Sequence, residues 1–265
     1  DIKAVVVHSQ MERTGEFFCS NPDLNQLHHN ILWGLKGNFV DVPTDCPQRD
    51  ERLGWTGDAQ IFCRTASYLM QTRNFFAKWL TDLHYDQTPE GGVPHVVPDI
   101  LTDRCDNDRF LSDGCTHSAA AWADAAVINP WTLYLMYGDK ETLRNQYSSM
   151  KAWIDFMRAH AVDNKWSYKL QFGDWVALDA KEGSYFGATP NDLTCMAYYS
   201  WSTLLFAKAA KVLGHEDDYE TYFALHRDIV NSFQQEFFTP TGRLAARTQN
   251  AHILALHFDL VPEQF

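Results

Sequence analysis

No run rich in lysine or arginine occurs in the 265 residues, and basic side chains are outnumbered 22 to 34 by acidic ones, for a formal charge of −12. Phosphate backbones are bound by concentrated positive faces, so no nucleic-acid partner is expected. Nor is there an apolar stretch approaching the ~20 residues that cross a bilayer, and no membrane partner is expected. The opening DIKAVVVHSQ lacks the charged start and cleavage pattern of a secretory leader. The cysteines, at 19, 46, 63, 105, 115 and 195, are too few and too irregular for a disulfide framework in a chain of this length, and free thiols are the expectation. With no CxxC pair and no HExxH, the sequence predicts neither a metal nor a cofactor. A GxSxG elbow is missing too, which removes the main support for a Ser-His-Asp acyl hydrolase. His117, His226 and His252 therefore read as structural histidines. The aspartates of DRCDND, Asp103, Asp106 and Asp108, miss the EF-hand spacing and its glycine, and read as solvated loop charge. Alternating strand patterns are almost absent, and no short repeat recurs.

What is there is an ordinary soluble composition, 45% hydrophobic and 21% charged, that fits one large domain. A β-like run, Ile2 to His8, comes first. Asn21-Pro22-Asp23 then marks a helix start, with Asn21 as cap and Leu24, Leu27, Ile31, Leu32 and Leu35 at helical spacing. Further helices are predicted over 59–70, 73–85, 116–137 (with a kink or break at Pro130), 141–161, 192–213, 217–237 and 244–260, about eight in all. Two irregular stretches interrupt them, 89–114 and 163–190, and the second, with GDWVALD, suits a small hairpin beside a pocket. The pattern is that of an all-α protein.

The most unusual stretch is Asp41 to Asp58, DVPTDCPQRDERLGWTGD. It places five carboxylates, two arginines and a tryptophan in eighteen residues, with two prolines and two glycines that forbid an uninterrupted helix. Prolines around Asp45 and glycines around Trp55 allow Asp45, Arg49, Glu51, Trp55 and Asp58 to face one cleft. Crowded carboxylates raise the pKa of at least one of their number, as a general acid requires, while Arg49 and Arg52 act in the opposite sense. Composition leaves the proton donor open. It also fits two readings: a surface ion-pair network, or a sugar site with acids for proton transfer and an aromatic face for a pyranose.

The segment TDCPQRDERLGWTGDAQ closely resembles the signature of bacterial α-L-rhamnosidases, glycoside hydrolase family 78. Its approach, HSQMERTGEFFCSNPDLNQLHHNILWGLKGNFVDVP, resembles the passage from a β-sandwich into the helical catalytic domain. AWADAAVINPWTLYLMYGD from Ala121, FGDWVALD from Phe172 and RTQNAHILALHFDLVPE from Arg247 fit as well. The resemblance implies an (α/α)6 barrel, the six-hairpin toroid, whose loops at one end build the pocket. Residues 1–20 would then end a preceding β-domain or linker, and 21–265 would form the N-terminal two-thirds of the barrel. It also implies a bacterial protein, cytoplasmic or periplasmic, whose partner is a rhamnose-containing glycoside or oligosaccharide.

By the same resemblance Glu51 is the general acid of an inverting hydrolysis. Asp45, Arg49, Trp55 and Asp58 line the rhamnose subsite, and Trp122, Asp174 and Trp175 match less tightly. Trp33, Trp79, Trp131, Trp153 and Trp201 are assigned to the core. The water-activating base is expected C-terminal to Phe265. Asp174, Asp179 and Glu182 find no support in the family pattern as substitutes, so the chain alone is expected to be inactive and, with apolar helix faces uncovered, to self-associate. Two alternatives from other classes are a non-catalytic rhamnose-binding helical module and a structural helical domain with an acidic ion-pair loop.

Overall fold

A computed structural model describes residues 1–102 and 116–265, so the Asp103, Asp106 and Asp108 cluster, Cys105 and Cys115 lie outside the described residues. Nine α-helices occur among the described residues: α1 Pro22–Asn38, α2 Thr56–Leu69, α3 Arg73–Asp86, α4 Ala125–Tyr137, α5 Lys140–Asn145, α6 Tyr147–His160, α7 Asn191–Leu213, α8 Glu216–Phe237 and α9 Gln249–His257. The sheet described is one antiparallel pair, β1 Phe39–Val40 with β2 Val42–Pro43, paired Phe39 to Pro43 and Val40 to Val42. None of the described helices is long and apolar enough to cross a membrane.

Helices α4 and α7 are apolar around most of their circumference, and such helices must be covered on every side. Fifteen of the 23 residues of α7 are buried, and it packs against α4, α6, α8 and α9. Helix α4 meets α2, α3, α5, α6 and α7. The amphipathic α2, α3, α6 and α8 turn one face to this centre, delivering Phe76, Trp79, Trp153, Tyr222 and Phe233 to a core that also holds Trp166, Tyr199 and Phe206. A buried carboxylate ties the centre together. Asp124, wholly buried, accepts from Trp153 Nε1 at 3.0 Å, Ser202 Oγ at 2.5 Å and Ala121 N at 2.8 Å, joining α4 to α6 and α7. Burial pushes its carboxyl up, and these donors pull it back.

Two of the helix starts follow directly from side-chain capping chemistry. Asn21 accepts from Asp23 N at 2.9 Å with Pro22 in the first turn of α1, and Asp139 caps α5 by accepting from Glu141 N and Thr142 N.

Several sequence expectations are corrected. Ile2 to His8 forms no strand, because no neighbouring edge pairs with it, and its valines stay exposed. The helix expected from Thr116 begins only at Ala125: His95 N donates to Thr116 O and Ser118 N to Val93 O, while Ser118 and Ala121 take positive φ values of 70° and 69°. From there it runs on through Pro130 without a break. The single helix expected over 141–161 is two, α5 and α6, divided at Gln146. The last helix starts at Gln249, since Leu244 instead bridges to Phe238 across a turn. Trp33, assigned to the core, is 47% exposed on the outer face of α1, with Lys36 Nζ 4.9 Å above its ring.

Candidate active site

The acidic loop is pinned at both ends. Asp41, at φ 66°, turns the chain between β1 and β2, and Thr44 N donates to Asn38 O. Asp45 N then donates to Leu53 O at 3.1 Å, closing the loop on itself. Its far side is fastened to a buried strand-like segment: Thr56 N donates to His95 O and Val97 N to Gly54 O, with Trp55 bridged to Val96. Backbone hydrogen bonds of this kind make the loop a rigid mount for its side chains.

Within the loop, Arg49 pairs with both Asp45, at 3.5 Å, and Glu51. Glu51 also accepts a hydrogen bond from Trp55 Nε1, so both of its oxygens are engaged. The Asp45 side chain is 8% exposed, and its Oδ1 is buried without a partner. Such an atom is costly to leave unpaired, and Asp45 is one of the residues that line a cleft. Asp58, in the first turn of α2, is open to solvent through the mouth of this cleft but surrounded by protein on its other sides. That partial burial, with repulsion from Asp45 and then Glu51, raises its carboxyl from 3.8 to about 6.

Two further segments complete the walls. The strained turn at Ala121, held by Asp124, lays Trp122 flat against α2: a Cβ on Gly57 would come within 2.6 Å of the indole, so only glycine permits this contact. The expected hairpin is present, with Trp175 bridged to Phe186, Val176 N donating to Tyr185 O and Gly187 N to Asp174 O. It carries Asp174 and the 36% exposed Trp175 to the mouth. Behind them sits Phe172, buried, its ring centroid 5.8 Å from Trp55, 4.7 Å from Trp122 and 5.6 Å from Trp175.

The cleft so formed holds about 640 Å³. Five of the eight expected site residues line it: Asp45, Asp58, Trp122, Asp174 and Trp175. Arg49, Glu51 and Trp55 are not in its lining. They stand one layer away, joined to it through Asp45 and through Phe172. Sequence reasoning missed Asn38, Tyr198 and Asn250, which share the cleft, and Phe172 and Asp124, which support it. Of these, Asp124, Phe172 and Asn250 lie inside the segments AWAD, FGDWVALD and RTQNAHILAL, the only signal that singled them out. Trp79, Trp153 and Trp166 are core, while Trp131 and Trp201 pack against it half-buried. Cys19, Cys46, Cys63 and Cys195 are free. Among the described residues no three His, Cys, Asp or Glu side chains converge as a metal would require.

Residues 12–265 match the family described as bacterial alpha-L-rhamnosidase 6 hairpin glycosidase domain. An alpha-L-rhamnosidase of Formosa agariphila is 38% identical over 265 residues, 99% of this chain and 27% of that protein. Among solved structures, Streptomyces avermitilis alpha-L-rhamnosidase complexed with L-rhamnose superposes with a TM-score of 0.85 at 36% identity, over 97% of this chain and 23% of that one. Native α-L-rhamnosidase from Aspergillus terreus gives a TM-score of 0.89 at 37% identity, over 98% of this chain and 29% of that one. The chain thus spans about a quarter of the length of these relatives.

Proposed function

The chain belongs to the bacterial α-L-rhamnosidase six-hairpin glycosidase family, and from that premise we propose that its cleft binds the terminal rhamnose of an α-L-rhamnoside for hydrolysis with inversion. The observation that carries this reading is the convergence of Asp45 and Asp58 with Trp122, Asp174 and Trp175, from segments far apart in the chain, on one cleft. Carboxylates there accept hydrogen bonds from sugar hydroxyls, and an indole face covers the apolar side of the ring.

Glu51 protonates the glycosidic oxygen as the C1–O bond breaks, and water enters from the opposite face of the sugar. In inverting enzymes the acid and the water-activating carboxylate stand roughly 6.5–9.5 Å apart. No carboxylate facing the cleft is assigned the second role. Glu51 stands one layer behind the cleft lining with Arg49 and Trp55 engaging its two oxygens, so the Arg49 contact has to open before Glu51 takes up from solvent the proton it passes to the glycosidic oxygen; the carboxylate left behind can pair with Arg49 again. The same arrangement would serve a module that holds rhamnose without cleaving it, and binding is therefore the first quantity to measure. L-Rhamnose titrated into the chain, followed by NMR, should bind, and Trp122→Ala should weaken it by about tenfold or more while D-glucose does not compete. Absence of rhamnose binding to the unmodified chain would remove the proposal.

A further inference from the structure

The Asp174 carboxylate is held from behind by a row of hydroxyls that leads to the start of a helix. Thr189 Oγ1 donates to Asp174 Oδ2 at 2.7 Å, and Thr189 Oγ1 and Thr248 Oγ1 are 2.7 Å apart. Thr248 in turn caps α9, accepting from Ala251 N at 3.2 Å. Proton counting fixes the direction. Each hydroxyl has one proton to give; that of Thr189 goes to the carboxylate, so the proton between the two threonines belongs to Thr248. The row therefore runs one way, from the α9 backbone amide through Thr248 and Thr189 to Asp174. Hydrogen bonds aligned in this sense polarise one another, and the partial positive charge at a helix N-terminus adds to the effect.

We propose that Thr189 and Thr248 are positioning residues for Asp174, fixing its Oδ2 so that Oδ1 is presented to a sugar hydroxyl in the cleft; this rests on the reading of the cleft as a rhamnose site. Three observations support it. Thr189 is 3% exposed and lies outside the cleft lining, so it acts on a ligand through the cleft residues it meets, Asp174 at 2.7 Å ahead of Asn250 at 3.5 Å. Gly173, at φ 59°, passes so close to Asn191 that a Cβ there would stand 2.0 Å from Asn191 Oδ1, so only glycine fits immediately before Asp174. The Gly187 N–H donates to Asp174 O and ties its main chain into the hairpin, and the threonine row holds its side chain. The row also links the hairpin carrying Asp174 to α9, whose Asn250 faces the same cleft with Nδ2 3.5 Å from Thr189 Oγ1. Two segments with no sequence relation thereby share one orientation.

The test is a double-mutant cycle read by L-rhamnose affinity of the full 265-residue chain. Thr189→Val keeps the shape and removes the hydroxyl, and should weaken rhamnose about tenfold, whereas Thr189→Ser should bind within about twofold of the unmodified protein. In an Asp174→Asn background the same Val substitution should change affinity less than twofold, because the group it acts through has been altered. Thr248→Val interrupts the row one link further back. It should weaken binding in the same direction by a smaller factor, again cancelled by Asp174→Asn, and it replaces Thr189→Val if that variant does not fold. Unchanged affinity in both valine variants would overturn the inference, as would an equal loss with and without the Asp174 carboxylate. If the unmodified chain binds no rhamnose, the reading of the cleft falls and this inference with it.

Discussion

Replacing Asp58 with asparagine should make the protein more stable and a poorer binder of rhamnose, and both effects follow from one crowded carboxyl. In the folded chain this group titrates at about 6 against an ordinary 3.8. Between those values the folded protein holds a proton that the unfolded chain has released. Stability therefore falls as pH rises through that window, and the penalty stands in full above about pH 6. At about 1.36 kcal/mol per tenfold the full difference would approach 3 kcal/mol, but Asp58 meets solvent through the cleft mouth, which discounts it to about 1 kcal/mol. For a chain of this size that is a rise of ~2–3 °C in Tm. The gain should appear in thermal melts at pH 8 and largely vanish by pH 3, where the carboxyl of the native residue is mostly protonated in both folded and unfolded states. Over the same pH 8 samples, L-rhamnose affinity should fall about tenfold if Asp58 accepts from sugar hydroxyls as proposed, because that acceptor has lost its charge. Opposite signs for stability and binding are the mark of a group kept for its ligand. A Tm gain equal at both pH values, or none at pH 8, would refute the electrostatic account of Asp58.

Other perturbations separate the remaining roles. In any form of this protein that hydrolyses rhamnosides, Glu51→Gln should lower kcat for alkyl aglycones by about 10²–10⁴-fold and for activated aryl aglycones far less, with rhamnose affinity within about tenfold; equal loss on both substrates would count against Glu51 as the acid. Asp124→Asn keeps one acceptor oxygen and turns the other into an amide N–H₂, which then faces either the Ala121 N–H or the Trp153 and Ser202 donors. It should cost about 2–4 kcal/mol, read as a Tm lower by roughly 5–12 °C in scanning calorimetry.

Much of the helical order was legible because its signals are local. Asn21-Pro22 placed the start of α1, and apolar spacing placed α2, α3, α7 and α8 to within a few residues. The failures share a cause. Residues 116–124 have helical composition, yet their backbone groups are claimed by Val93 and His95, partners distant in sequence that no window of neighbours reveals. Gln146 divides α5 from α6 without a proline or glycine to announce it. Trp33 sits on a helix whose spacing promises burial, but burial depends on what packs opposite, and only Leu32 and Leu35 of α1 are covered. At the site, the acidic loop stood out by its crowded charge, and Trp55, Trp122 and Trp175 by lying in segments that resemble the family, among nine tryptophans in all. Thr189, Thr248 and Asn250 did not, since hydroxyls and amides are common and acquire meaning only from the carboxylate they meet.

Phe172 places a different kind of constraint on the protein. Trp55, Trp122 and Trp175 all abut this one ring, and Trp55 in turn grips Glu51. Indoles that share an abutment cannot be retuned one at a time: a smaller residue at any of the three positions lets Phe172 shift and unseats the other two, so their substitutions will not add. If the cleft serves as proposed, a lineage that changed its sugar by altering Trp175 would, in the same stroke, disturb the hydrogen bond between Trp55 and Glu51. On that proposal recognition and proton transfer would inherit each other's mutations, and a new specificity would be reached through paired changes or through Phe172 itself.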